Sequence, residues 1–79
     1  MEVLIGRVYR HYKGNFYIIE NIALNTETDE QMVIYKALYG NGEVFARQIT
    51  SFTEKIDSQN QAHRFELQEI KSVINHQCH

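Results

Sequence analysis

The chain has 79 residues, of which 43% are hydrophobic and 23% charged, and its net charge at pH 7 is −2. This length supports one domain (residues 1–79) with a small core, which excludes a deep internal substrate cavity and favours a surface site. Five tyrosines and four phenylalanines supply enough apolar bulk to exclude a disordered chain.

The distribution of charge argues against a nucleic-acid partner. Residues 1–19 carry three basic side chains and one acidic one, whereas residues 20–30 carry four acidic side chains and no basic one. An acidic segment of this kind repels a phosphate backbone, although the uneven layout can steer a smaller charged partner.

Cysteine content and the first residues indicate the compartment. Cys78 is the only cysteine, so no intrachain disulfide can form, and a reducing compartment such as the cytoplasm is expected. The apolar run Val3–Ile5 is too short for a signal peptide or a membrane anchor, and we expect no membrane partner.

Four runs rich in valine, isoleucine, tyrosine and phenylalanine follow along the chain, and each is predicted to be a strand. The runs are Val8–Tyr12, Phe16–Leu24, Met32–Tyr39 and Val44–Ile49. They are separated by the turn signals Lys13–Asn15, Asn25–Glu30 and Gly40–Gly42. Short turns between such runs favour an antiparallel meander.

The second run carries apolar residues on both parities. Phe16, Ile18 and Ile22 share one parity, and Tyr17 and Ile19 share the other. A small barrel with strongly coiled strands produces this pattern, because it buries residues from both sides at its bends. We therefore predict a mainly β fold, a small SH3-like antiparallel barrel over about residues 3–65.

The last third of the chain has a different pattern. Phe65, Leu67, Ile70, Val73 and Ile74 fall near helical spacing, which predicts a short C-terminal helix over about residues 65–75. The alternative is a final strand at Arg64–Leu67 followed by a tail.

The string Tyr9-Arg10-His11-Tyr12-Lys13-Gly14, followed by Tyr17, is specific enough to indicate a family. With later matches as far as Phe65, the chain resembles the bacterial domain-of-unknown-function family 1653. The resemblance implies an SH3-like barrel and no assigned activity. The family usually has His-Ser where this chain has Asn25-Thr26, and an asparagine cannot exchange a proton at neutral pH.

Arg10, His11, Tyr12 and Lys13 are adjacent at a tight turn and form the first candidate site. On a strand, Arg10 and Tyr12 would point to one face, and His11 and Lys13 to the other. An arginine offers a two-pronged donor for a carboxylate or another anion. The alternative is an ordinary solvated hairpin in which His11 pairs with a neighbouring carboxylate.

Glu27, flanked by two threonines, is the second candidate. With His11 it would make an acid–base pair. The alternatives are turn chemistry, in which the threonines cap backbone donors, and a structural salt bridge from Glu27 to Arg10 or Arg47.

The aromatic residues are interleaved with basic ones, as on a stacking platform, but most are expected in the core of so small a barrel. They are Tyr9, Tyr12, Tyr17, Tyr35, Tyr39, Phe16 and Phe45.

We predict a non-enzymatic module that binds a small anionic ligand or a protein partner. Arg10 and Arg47 would hold the negative charge, and Tyr12 and Tyr35 would form apolar walls. The alternatives are a small enzyme that uses His11 and Glu27, or an interface between two copies, so the chain is expected as a monomer or homodimer. The ligand-binding set is Arg10, His11, Tyr12, Lys13, Glu27, Tyr35 and Arg47.

No cofactor and no metal site is predicted. His76, Cys78 and His79 are potential zinc ligands, but they lie together at one end of the chain. Zinc sites usually draw their ligands from separate ordered elements.

Overall fold

Runs of branched and aromatic residues form the strands that their composition predicts. The computed structural model describes residues 2–56 and 61–69 of the chain. The elements in this part are β1 (Val8–His11), β2 (Phe16–Leu24), β3 (Gln31–Ala37), β4 (Val44–Gln48), α1 (Ile49–Phe52) and β5 (Phe65–Leu67). No helix in these residues is long and apolar enough to cross a membrane.

The five strands form one antiparallel sheet in the order β4-β3-β2-β1-β5. Gly14 and Gly42 take positive φ in the tight turns that join β1 to β2 and β3 to β4, which glycine does without a steric penalty. The predicted meander is confirmed, and the fold is mainly β. Because β5 pairs with β1, the first and the last strand of the chain are neighbours in the sheet.

The sheet remains open between β4 and β5 in the described residues, so it does not close into the predicted barrel. The chain leaves β4 at Gln48 and turns directly into α1. Beyond α1, a single bridge between Lys55 and His63 continues towards β5. On the core side of this gap, Phe52 of α1 packs against Phe65 of β5, while α1 makes no backbone hydrogen bond to the edge of β4.

A bulge in β2 explains why its apolar residues change parity. The register between β2 and β3 shifts between Ile19 and Asn21. Tyr17 and Ile19 are buried before the bulge, and Ile22 packs against the core after it. An extra residue in a strand reverses which parity faces the core, so Ile22 after the bulge lies on the same side as Tyr17 and Ile19 before it.

The core lies on one side of the sheet and is closed by α1. Five of its side chains are less than 2% exposed, namely Tyr9, Ile19, Val33, Phe52 and Phe65. The Phe52 ring stacks on Phe65, with 4.0 Å between ring centroids, and meets the edge of Tyr9 at 5.6 Å. Burying a phenylalanine side chain stabilises the folded state by about 1.5–3 kcal/mol, so the burial of Phe52 holds the four-residue helix against the core.

The helix predicted from about residue 65 does not begin there, because Phe65–Leu67 forms β5. This segment pairs with the edge of β1, and next to it the Gln68 N–H donates to the Val8 carbonyl at 2.9 Å. The alternative final strand is therefore the one that the structure shows. The remainder of the predicted helix, residues 70–75, lies outside the described residues.

Candidate functional site

Side chains from five strands meet at the end of the sheet beside the β1–β2 turn. His11 on β1, Tyr17 on β2 and Tyr35 on β3 all direct their rings at Phe65 on β5, with centroids 4.9, 5.6 and 5.3 Å away. Arg47 on β4 lies over the same ring, with its guanidinium carbon 5.8 Å from the centroid. We call this surface the Arg47 face; Tyr39 and Phe45 complete it.

Arg47 is held in place by two side-chain hydrogen bonds. Its Nε donates to the Tyr35 hydroxyl and its Nη1 to the Ser51 hydroxyl, each at 3.1 Å. No carboxylate in the described residues lies within salt-bridge distance of Arg47. The guanidinium is therefore oriented, while its charge is not neutralised by this part of the chain.

His11 is a neutral hydrogen-bonding group on this face. Its partial burial lowers its pKa, and the positive charges of Arg47, Arg64 and Lys13 lower it further. Its Nδ1 accepts a hydrogen bond from the Lys13 backbone N–H at 3.1 Å. In a neutral imidazole that accepts at Nδ1, the proton is on Nε2, so His11 can act as a donor.

Two tyrosine hydroxyls add polar atoms beside the exposed Phe45 ring. The hydroxyls of Tyr17 and Tyr39 lie 2.9 Å apart. Burial raises the pKa of Tyr17 to about 12, and the hydrogen bond with Tyr39 contributes to this shift. The Tyr17 hydroxyl therefore stays protonated at neutral pH, and Phe45, 5.6 Å from the Tyr35 ring, forms an apolar wall.

Tyr12 and Lys13 border the Arg47 face from the turn that follows β1. Because β1 ends at His11, Tyr12 is no longer on a strand, and its ring packs on His11 with 4.6 Å between centroids. The prediction that Tyr12 and His11 point to opposite faces is wrong for this reason. Lys13 is exposed, and its ammonium lies 5.9 Å from the Tyr12 ring.

Arg10 is a structural residue in this arrangement, not part of the Arg47 face. It alternates with the core residue Tyr9 and with His11, and its Nη1 donates to Gln61 Oε1 at 2.8 Å. Gln61 Nε2 in turn donates to the backbone carbonyls of Arg10, His63 and Arg64, at 3.0, 2.9 and 3.2 Å. This buried glutamine ties β1 to the segment before β5.

Glu27 lies at the far end of β2 from His11. It is exposed in the β2–β3 loop, where its backbone N–H donates to Asn25 Oδ1 at 2.9 Å. At about 3.3 Å per residue, Leu24 alone is roughly 23 Å along the strand from Tyr17. The acid–base pair with His11 is therefore not formed, nor are the salt bridges to Arg10 or Arg47, and the turn-chemistry alternative describes the loop.

Of the residues selected from the sequence, the structure brings together His11, Tyr35 and Arg47, with Tyr12 and Lys13 at the border. The structural role of Gln61 was not predicted, because nothing in the sequence distinguishes it from other glutamines in polar segments. His76, Cys78 and His79 lie outside the described residues.

The comparisons with known proteins agree with the string at the start of the chain. The family model of a protein of unknown function, DUF1653, matches residues 7–67. The chain is similar to a crystal structure of a DUF1653 protein from Bordetella bronchiseptica, with 34% sequence identity, a TM-score of 0.68, and coverage of 78% of this chain and 83% of that chain. No curated protein matches the chain. With most of its length matched by the family model and its fold shared with a member, the chain belongs to the DUF1653 family.

Proposed function

We propose that this chain is a non-enzymatic binding module that holds the carboxylate of a small organic anion on the Arg47 face. The observation that carries the proposal is the state of Arg47. Its guanidinium is fixed by Tyr35 and Ser51, and no carboxylate of the described residues pairs with it. A charge oriented in this way is the arrangement that an anion site requires.

The neighbouring groups suit a carboxylate with an apolar body. Near Arg47, the His11 Nε2 proton supplies a further donor, and the ammonium of Lys13 adds positive charge; the paired hydroxyls of Tyr17 and Tyr39 add polar atoms to the same face. Phe45, which is 36% exposed, offers a ring against which an apolar group can pack. The proposed ligand therefore combines a carboxylate with a flat or branched hydrocarbon part.

Two features favour binding over catalysis. The carboxylate expected to partner His11 lies at the other end of β2, so His11 has no acid–base partner from Glu27. Partial burial, together with the surrounding positive charge, lowers the pKa of His11, so its neutral imidazole can donate a hydrogen bond from Nε2. The cytoplasm is the setting that we infer, since Cys78 is the only cysteine.

The Arg47 face would bind a carboxylate on a protein partner through the same groups as a free carboxylate. The first experiment therefore uses a free carboxylate. Benzoate and its uncharged isostere benzamide are titrated into ¹⁵N-labelled protein and followed by NMR. We expect benzoate, but not benzamide, to shift the signals of His11, Tyr39 and Arg47. Equal shifts with benzamide would contradict the proposal, because the charge would then be irrelevant.

Arg47→Gln should reduce benzoate affinity by roughly tenfold or more, since a charge-assisted hydrogen bond contributes about 1.5–3 kcal/mol. The matched control is Lys36→Gln, which also removes one positive charge. Lys36 is exposed on β3 between the buried residues Tyr35 and Ala37, and so lies on the opposite face. An equal loss in both variants would assign the effect to net charge alone.

A further inference from the structure

Strand β4 forms one edge of the sheet and is paired on one side only, with β3. The Ala37 N–H donates to the Glu43 carbonyl at 2.8 Å, which fixes the hydrogen-bonding phase of the two strands. In an antiparallel pair this phase alternates, so Phe45 and Arg47 bond to β3 and Val44 and Ala46 direct their N–H and C=O groups outward. These outward groups have no backbone partner among the described residues.

The edge carries one of the features by which natural sheets prevent pairing, an inward-pointing charge, and lacks others. Protected edges are very short, bulged or covered, or carry a proline or a charged side chain. The chain contains no proline, the β3–β4 register has no shift, and the one charged residue of β4, Arg47, is turned inward to Tyr35 and Ser51. Val44 is 56% exposed.

The other edge strand, β5, is covered differently. It has only three residues, and next to it the Arg64 N–H donates to the Glu54 carbonyl at 2.8 Å. The bridge between Lys55 and His63 continues this cover. Of the two edge strands in the described part of the chain, β4 is therefore the one that remains available.

We propose that β4 pairs antiparallel with β4 of a second copy of this chain, about a two-fold axis at Ala46. A strand paired with itself in this way is self-complementary, as a two-fold interface requires. In this register Ala46 lies opposite Ala46, and Val44 opposite Gln48. The outward backbone groups of both copies then meet.

Charge complementarity favours a second copy as the occupant. On the inner face, Phe45 of one copy lies opposite Arg47 of the other. Glu43 is then the diagonal neighbour of Arg47 across the interface, a distance that long side chains reach. Glu43 is exposed and appears in neither ion pair of the described residues, so each copy supplies the carboxylate that Arg47 of the other lacks.

Self-association and anion binding would then compete, and this consequence rests on the proposed function. Glu43 of the second copy and the carboxylate of a ligand approach the same guanidinium. By linkage, benzoate should weaken the dimer by the same factor by which dimerisation weakens benzoate binding. Pairing of the edges does not itself depend on any ligand.

Sedimentation velocity of the full chain without ligand, from about 10 µM to about 1 mM, tests the proposal over the range of a small interface. The informative pair of variants is Ala46→Lys and Ala23→Lys. Ala46 lies on the proposed axis, whereas Ala23 is exposed on β2, where it pairs with Met32 of β3 and lies away from the β4 edge. We expect the wild type and A23K to show a dimer fraction that rises with concentration, and A46K to remain monomeric with an unchanged melting temperature. Glu43→Gln should weaken the dimer.

A single monomeric species at every concentration would overturn the proposal, as would equal association of A46K and A23K. Amide exchange supplies a further check. Protection of Val44 and Ala46 that is independent of concentration would show that the chain covers its own edge, which also rules out the dimer. The benzoate titration is read at low concentration, where the monomer dominates, so its failure is separate from failure of the dimer.

Discussion

Arg10 and Arg47 illustrate how the position of an arginine on a strand decides its role. Arg10 donates a hydrogen bond to Gln61, whose amide nitrogen donates to three backbone carbonyls. Arg47 lies over the Phe65 ring, with two hydroxyls as its partners. Both arginines were predicted in one anion site. The structure separates them, because Arg10 lies between Tyr9 and His11 on β1 and so points away from the face that these two share.

Gln61→Ala should lower the free energy of unfolding by about 1–3 kcal/mol, because it removes a buried amide that donates to three carbonyls and accepts from Arg10. Urea denaturation measures this change. Gln31→Ala, at an exposed position of β3, is the control and should change stability by less than about 0.5 kcal/mol. If the two variants were equally stable, Gln61 would not be the tie between β1 and β5.

His11 should make the folded state less stable as the pH falls. Its pKa is lowered on folding, so below its ordinary value of 6.5 the unfolded chain binds the proton more readily than the folded chain. The stability associated with neutral His11 is therefore present above about pH 6.5 and is lost as the pH falls through the lower folded pKa. Urea unfolding between pH 8 and pH 5 (about one unit or more on each side of 6.5) measures the loss.

His11→Gln should flatten this pH dependence, whereas His63→Gln, which retains His11, should keep it. A slope that persists in His11→Gln would assign the effect to other groups.

Tyr17 should ionise late, because burial and the hydrogen bond with Tyr39 raise its pKa to about 12. Tyr39→Phe removes that hydrogen bond and should lower the pKa of Tyr17. Tyr12→Phe, outside the pair, should leave it in place. Ultraviolet absorbance or ¹³C NMR during an alkaline titration distinguishes the two variants, and an unchanged Tyr17 in Tyr39→Phe would contradict the hydroxyl pair.

At the scale of elements, α1 is the smallest and the least visible in the sequence. It has four residues, and no side chain caps its first turn. Such a helix is not stable from local propensity, because nucleation is unfavourable. Its position comes from Phe52, which stacks on Phe65 inside the core.

Phe52→Ala should therefore cost about 3–5 kcal/mol of stability, the usual range for removing a buried phenylalanine. Phe16→Ala is a matched control, since Phe16 is 42% exposed, and should cost much less. Thermal or urea unfolding measures both. A small loss in Phe52→Ala would show that α1 does not close the core.

The strands and their turns were predictable because their signals are local. Each β-rich run is bounded by glycine or by polar turn residues, and β1 to β4 agree with the predicted runs within two residues at each end. The bulge in β2 was visible only as a break in alternation, which a closed barrel explains equally well. β5 depends on pairing with β1, a contact between distant parts of the chain, and spacing alone favoured a helix there.

The candidate site was predictable in part for the same reason. The aromatic and basic residue types pointed to an anion site, and His11, Tyr35 and Arg47 do converge. Glu27 looked equally suitable, since nothing in the sequence tells how far β2 carries it from His11. The separation of His11 and Glu27 depends on where β2 begins and ends, which the structure shows.

At the scale of the whole molecule, the charges are separated along the β2–β3 hairpin. The loop at one end carries Glu27, Asp29 and Glu30, and Lys13 in the β1–β2 turn lies at the other end of β2. An approaching anion is therefore repelled from one end and attracted to the other. Because exposed charges are screened, benzoate affinity should fall as the salt concentration rises.

The central claim is that Arg47, and not Arg10, holds the anion. Calorimetric titration of benzoate into Arg47→Gln and Arg10→Gln, with melting temperatures recorded beside it, tests this claim most directly. We predict that Arg47→Gln raises the Kd by roughly tenfold or more, and that Arg10→Gln lowers the melting temperature while the Kd stays within about twofold. A Kd that rises in Arg10→Gln and not in Arg47→Gln would contradict the account.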